Sequence, residues 1–152
     1  MAPPTVALLM GSKSDVKKVE PAGEILSRMG VEVMTAVLSA HRTPDKLREF
    51  VLSAPSKGVE VIIAAAGKAA HLPGVVASMT TLPVIGLPIS SKDLGGLDAL
   101  LSMVQMPRGV PVATVAIDGA ENAALLACSI LALKHEKVDE ALKAYREQLA
   151  GK

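Results

Sequence analysis

Five short apolar runs punctuate this chain: Thr5–Met10, Val31–Leu38, Val59–Ala66, Pro83–Pro88 and Val110–Ile117. Each is too short for a buried helix and is built largely from Val, Ile, Leu and Ala, so each predicts a strand. The apolar character is nearly continuous rather than alternating, which predicts burial on both faces. Between the runs lie stretches of helical period. Val16–Met29 predicts a first helix closed by Gly30, with Pro21 forcing either a kink or a start near Glu20. Pro44–Ala54 predicts a second, ended by Pro55 and Gly58, and Leu97–Met106 a later one before the Pro107–Gly109 turn. Asn122–Leu133 is apolar on nearly every side, the pattern of a helix buried all round. Val138, Leu142, Tyr145 and Leu149 draw a narrow stripe on an otherwise charged last helix.

Strands alternating with helices predict a parallel sheet covered on both faces. The expected architecture is α/β: a flavodoxin-like three-layer sandwich, strand order 2-1-3-4-5, plus a C-terminal helix. No repeat, linker or low-complexity segment interrupts it. A single α/β domain over 1–152 is expected, with its core at 5–133 and the last helix at 136–150. In this order the loops after the first three strands surround one pocket at the carboxyl rim.

Composition narrows the picture. The chain has 152 residues, enough for a real core. A formal net charge of +1 gives no electrostatic case for nucleic acid or an anionic membrane. Hydrophobic residues make up 50%, yet Phe50 and Tyr145 are the only aromatics. The mean hydropathy of +0.41 is high for a soluble chain of this size. No stretch reaches the ~20 apolar residues of a spanning helix; the longest, Leu72–Ile89, is cut by Pro73, Pro83 and Pro88. No basic segment precedes Val6–Met10, so no signal peptide is read. Single Cys128 cannot form an intrachain disulfide, in keeping with a reducing compartment. A cytoplasmic homo-oligomer is expected, with Asn122–Leu133 at the subunit contacts and its small residues Ala123, Ala124, Ala127 and Ser129 allowing close approach.

Three loops carry candidate chemistry. Ser39-Ala40-His41-Arg42-Thr43-Pro44 follows the second strand, with Thr43 as expected N-cap and Pro44 at the first helical position. An imidazole moves protons near neutral pH, and a guanidinium offers a fixed fork of donors to phosphate or carboxylate. Gly11-Ser12-Lys13-Ser14-Asp15 follows the first strand. It either holds a phosphate or ribose or merely caps the next helix. Gly67-Lys68-Ala69-Ala70-His71-Leu72-Pro73-Gly74 follows the third, its small residues letting backbone amides converge on an anion at a helix start. There His71 is either structural or chemical. No Walker loop, GxGxxG, Cys/His metal cluster or Ser-His-Asp signature is present, so NAD, zinc and a serine nucleophile are unsupported.

Five motifs occur in order: Gly11–Asp15, Ser39–Pro44, Ala70–Gly74, Val104–Pro107 and Asn122–Ala127. On these the chain resembles the bacterial N5-carboxyaminoimidazole ribonucleotide mutases of purine biosynthesis. The resemblance implies an octamer of 422 symmetry, active sites near subunit boundaries, a small-molecule ribonucleotide substrate, and no metal or organic cofactor. It implies a carboxyl group moving from the exocyclic nitrogen to ring carbon four, with His41 as proton shuttle. It also implies that Ser14, Ser39 and Arg42 hold the phosphate with help from Ser12, and that Asp15 takes the ribose hydroxyls. Gly67, Lys68, Ala69 and Ala70, through their amides, together with His71 and Leu72, would cradle the carboxylate. Ala40 and Ala66 complete the expected substrate-binding set. The related animal-type carboxylase usually has lysine at the place of Arg42, which favours the mutase branch. Lys68 and Ala65 stand where the pattern usually has glycine, Val16 where it has a bulkier residue, and Ala99 where it has serine. Lys68 either obstructs the carboxylate or points outward. Two alternatives stay open: direct carboxylation of aminoimidazole ribonucleotide, and a nucleotide-binding homologue without catalysis.

Overall fold

The computed structural model describes residues 2–151; the domain expectation also takes in Met1 and Lys152, which lie outside them. One five-stranded parallel sheet has the order β2-β1-β3-β4-β5, the order expected from the sequence. The strands are β1 Thr5–Met10, β2 Glu32–Val37, β3 Val59–Gly67, β4 Val84–Ile89 and β5 Ala113–Thr114. The helices are α1 Val16–Arg28, α2 Pro44–Ser53, α3 Leu72–Met79, α4 Leu97–Val104, α5 Ala120–Leu131 and α6 Glu136–Ala150. Short 3-10 turns occupy Lys13–Asp15 and Pro55–Lys57.

Successive residues of a strand face opposite sides of a sheet. In β1, Val6, Leu8 and Met10 therefore join one core with α1, α5 and the start of α6. Ala7 and Leu9 join the other, with Leu47 and Val51 of α2, Val76 of α3 and Met103 of α4. Both cores are almost wholly aliphatic. β1 and β3 are buried nearly end to end, which is why their runs are apolar without alternation.

Four expectations change or narrow. β2 is not buried: it forms one edge of the sheet, leaving Glu32, Thr35 and Val37 exposed. The fifth strand shrinks from eight expected residues to Ala113–Thr114 at the other edge. Pro111 has no N–H to give a ladder, and Gly109 turns the chain with φ +102°. α1 starts at Val16, as the expected span had it, so of the two alternatives for Pro21 the start near Glu20 falls away. Pro21 removes one interior hydrogen bond, while Val19, Ala22, Ile25 and Leu26 anchor the helix on the sheet.

The fourth concerns α5. It begins earlier than expected, at Ala120, after Gly119, where a Cβ would meet the Ala116 carbonyl at 2.8 Å. Its Ala123, Ala124 and Ala127 are fully buried within the chain, in the core shared with α1, α6 and the sheet. All-round apolarity here is satisfied largely inside one subunit. The exposed large apolar side chains include Leu94, Leu97, Leu101 and Val104 along one face of α4 and its approach and Leu133 after α5, with Val16, Val37, Leu52 and Leu149 scattered singly.

Candidate active site

The loops after β1, β2, β3 and β4 line a cavity of about 680 Å³ at the carboxyl rim. The first loop is fixed to the sheet by the Gly11 amide, which donates to the Ala65 carbonyl at 3.0 Å. Ser12 caps the short 3-10 turn, its hydroxyl accepting from the Ser14 amide (3.3 Å) and the Ser14 hydroxyl (2.9 Å). Asp15 occupies the N-cap position of α1 without making a side-chain cap. Its carboxylate lines the cavity instead. Burial pushes the Asp15 carboxyl above its ordinary range, opposed by Lys18 and a backbone hydrogen bond at Ser12.

The second loop folds back on itself. Thr43 sits at the N-cap position of α2 but makes no side-chain cap. Its hydroxyl accepts from the Ser39 amide (3.0 Å) and donates to the Ser39 carbonyl (3.2 Å). The loop is closed by that reciprocal pair rather than by the expected cap. Ser39 Oγ accepts from the Arg42 amide (3.1 Å) and from Arg42 Nε (3.3 Å). Arg42 Nη2 donates to the Gly11 carbonyl at 2.9 Å and so ties the second loop to the first. The guanidinium is held in orientation by two of its five donors.

The third loop brings the second histidine. His41 Nε2 and His71 Nδ1 are 2.9 Å apart, with the rings edge to face at 87°. Such a pair holds one hydrogen between two ring nitrogens, one acting as donor and the other as acceptor. Two tight turns precede it, the Ala70 amide donating to the Lys68 carbonyl (2.8 Å) and the His71 amide to the Ala69 carbonyl (2.9 Å).

The fourth loop was not expected at the pocket. Lys18 Nζ donates to the Ser90 carbonyl (3.0 Å) and hydroxyl (2.7 Å). The Ser90 amide and hydroxyl in turn donate to the two oxygens of Asp118, at 2.9 and 2.5 Å. Burial disfavours the charged form of Asp118, but the Ser90 hydroxyl, the Ser90 amide and Lys18 together hold its carboxyl below the ordinary range.

Residues 5–152 match the AIR carboxylase family. The chain belongs to that family. It is 56% identical to the N5-carboxyaminoimidazole ribonucleotide mutase of Pyrococcus abyssi, covering 96% of this chain and 84% of that protein. It is likewise 56% identical to the mutase of Saccharolobus solfataricus, covering 96% and 92%. Among solved structures it resembles Treponema denticola PurE, with a TM-score of 0.90 and 30% identity over 97% of this chain and 92% of that one. The resemblance read from the five motifs stands.

Of the site residues expected for an AIR carboxylase, all but one line the same cavity: Ser12, Ser14 and Asp15; Ser39, Ala40, His41 and Arg42; Ala66, Gly67, Lys68, Ala69, His71 and Leu72. Ala70 does not. It is fully buried in the core beneath, and its amide is engaged by Lys68. Lys18, Ser90 and Ser91 line the cavity unannounced. One signal for Lys18 is its place one helical turn after Asp15, and for the serines their place just past the carboxyl end of β4. The departures from the family pattern fall as follows. Ala65 is buried under Gly11, Ala99 is buried in the second core, and Val16 is partly exposed at the start of α1. Lys68 adopts φ +54°, the left-handed region natural to glycine, so the loop keeps a glycine-like backbone. Its ammonium turns to Asp93 in the fourth loop.

Proposed function

We propose that this chain is a mutase of de novo purine biosynthesis. It converts N5-carboxyaminoimidazole ribonucleotide to 4-carboxy-5-aminoimidazole ribonucleotide. The observation that carries the reading is the His41–His71 pair at 2.9 Å, in a cavity that Arg42 and Asp15 also line. The relatives' names supply the substrate, and the pair supplies a means of moving a proton.

The proposed chemistry conserves atoms and charge. Protonated His41 gives its proton to the exocyclic nitrogen as the nitrogen–carbon bond of the carbamate breaks, leaving aminoimidazole ribonucleotide and carbon dioxide. Ring carbon four attacks the carbon dioxide and forms the new carbon–carbon bond. His41, now neutral, takes the proton from carbon four, which restores the aromatic ring and the starting imidazolium. Enclosing the fragments makes recombination effectively unimolecular. His71 holds the His41 nitrogen in place between the two transfers. Arg42 grips the phosphate with Ser14 and Ser39, Ser12 assisting, and Asp15 accepts from the ribose hydroxyls. The carboxylate lies against the loop from Gly67 to Leu72, without the Ala70 amide.

The assembly is a homo-octamer of a single α/β domain. The exposed leucines on α4 and Leu133 support contacts between copies, since monomers rarely leave such surface open. It works in the cytoplasm; no described helix is long and apolar enough to cross a membrane.

His41→Asn tests the shuttle. Substrate binding is expected to stay within about an order of magnitude while turnover falls at least ~100-fold, the usual scale of general acid–base catalysis. Near-normal turnover in that variant removes His41 from the mechanism.

A further inference from the structure

One ion pair at the cavity edge has no part in the chemistry above. Lys68 is the first residue after β3 and lines the cavity. Its ammonium binds the carboxylate of Asp93, halfway along the loop from β4 to α4. That loop is pinned where it begins, because Ser90 is held by Asp118 and Lys18. Where it ends, Gly95 and Gly96 both take positive φ, +64° and +96°, and a Cβ on Gly96 would meet Ile117 at 2.6 Å. Between the pinned start and the glycine end, the Lys68–Asp93 pair ties the loop to its neighbour. Lysine also holds this place in a backbone conformation that costs a non-glycine residue energy. Both side chains are well exposed, 69% and 61%, so the pair adds little to stability. Stability is therefore a poor reason for it.

We propose that the Lys68–Asp93 pair fences the carboxylate end of the pocket, and that Lys68 is thereby a positioning residue for the retention of carbon dioxide. This rests on the mutase reading. Carbon dioxide is uncharged, so no cation grips it. Whether it is recaptured or lost depends on the walls around it. The pair joins the third loop, which carries the Gly67–Leu72 segment, to the fourth. An exposed pair is screened by salt, so the fence weakens as ionic strength rises.

The test supplies unlabelled N5-carboxyaminoimidazole ribonucleotide in buffer containing 13C-bicarbonate and measures label in the 4-carboxy product, corrected for the enzyme-free reaction. The wild type is expected to take up little label at low salt. Uptake should rise several-fold at about 1 M salt, where the screening length falls to about 3 Å. Asp93→Asn should raise uptake several-fold at low salt, with turnover retained and the salt dependence gone. Lys68→Gly should raise uptake equally. Lys68→Asp combined with Asp93→Lys restores the pair in reverse, and aspartate tolerates the left-handed backbone, so retention should return. Asp93→Asn with wild-type uptake, or a reversed pair that still leaks, overturns the fence. A wild type that does not turn over this substrate overturns the mutase reading itself.

Discussion

The two ends of the sheet each carry a histidine in a close polar pair, and they behave differently. At the amino end, His135 Nε2 lies 2.7 Å from Glu60 Oε2, and Lys134 donates to the other Glu60 oxygen at 2.7 Å. The His135 side chain is only 9% exposed. There an acid on β3 is matched on both oxygens and staples the α5–α6 junction to the sheet. At the carboxyl end, His41 and His71 pair with each other, no carboxylate among the described residues is paired with either, and both stand exposed in an open cavity. A buried histidine matched to a half-buried acid holds a fold together. Under the proposed function, a histidine matched to another histidine, beside an oriented arginine, is the one that passes a proton to a guest.

Exchanging one histidine at each end sharpens that contrast most. His71→Asn is expected to lower turnover by about 100-fold, the lower end for a group engaged in proton transfer. Its stability should change by less than about 0.5 kcal/mol, as for other surface sites. His135→Asn should leave turnover intact and lower stability by about 1–3 kcal/mol, because Glu60 loses a partner. Chemical denaturation and a turnover assay on both variants read out the pair. Acid sharpens it further. Burial disfavours the Glu60 charge, but hydrogen bonds from Lys134 and His135 outweigh it and hold this carboxyl below its ordinary range. The staple's contribution is therefore complete above the ordinary carboxylate range and lost as pH falls through the depressed value. Glu60→Gln should flatten that part of the acid unfolding curve.

Next in size is the anion grip. Arg42→Lys keeps the charge and loses the planar fork that Ser39 and Gly11 hold in orientation. Substrate affinity is expected to fall by about 1–3 kcal/mol by calorimetry. Unchanged affinity would mean that Arg42 does not touch the phosphate.

Much of this arrangement was readable in the chain. The central strands β1 and β3 are continuous apolar runs because helices cover both their faces, so period and length alone located them. The edges were harder. β2 is apolar enough to look buried, and only its place in the sheet exposes it. Pro111 and Gly109 interrupt β5 in a way that hydropathy does not register. The three expected loops met because loops after parallel strands share a rim. The fourth loop and Lys18 did not stand out, since a lysine on a helix surface and two serines after a strand are common. Their meaning comes from Asp118, 28 residues beyond Ser90. Thr43 looked like an ordinary cap, and only the folded loop shows it turned back to Ser39. In α5, apolarity on all sides did not reveal whether its neighbours were other copies or α1 and α6.

The smallest expected effect sets function against stability at one residue. Burial raises the Asp15 carboxyl, so its ionised form costs the folded state stability at neutral pH. Asp15→Asn should raise the melting temperature slightly at neutral pH, give no gain once pH falls below the ordinary carboxylate range, and weaken substrate binding. A lower melting temperature at neutral pH would mean that Asp15 supports the fold rather than the ribose.

The most direct measurement offers the wild-type enzyme each candidate substrate separately while bicarbonate is varied. Turnover of N5-carboxyaminoimidazole ribonucleotide that proceeds without added bicarbonate and does not rise with it is the predicted result. Turnover confined to aminoimidazole ribonucleotide and rising with bicarbonate would contradict the account, as would binding of both without turnover.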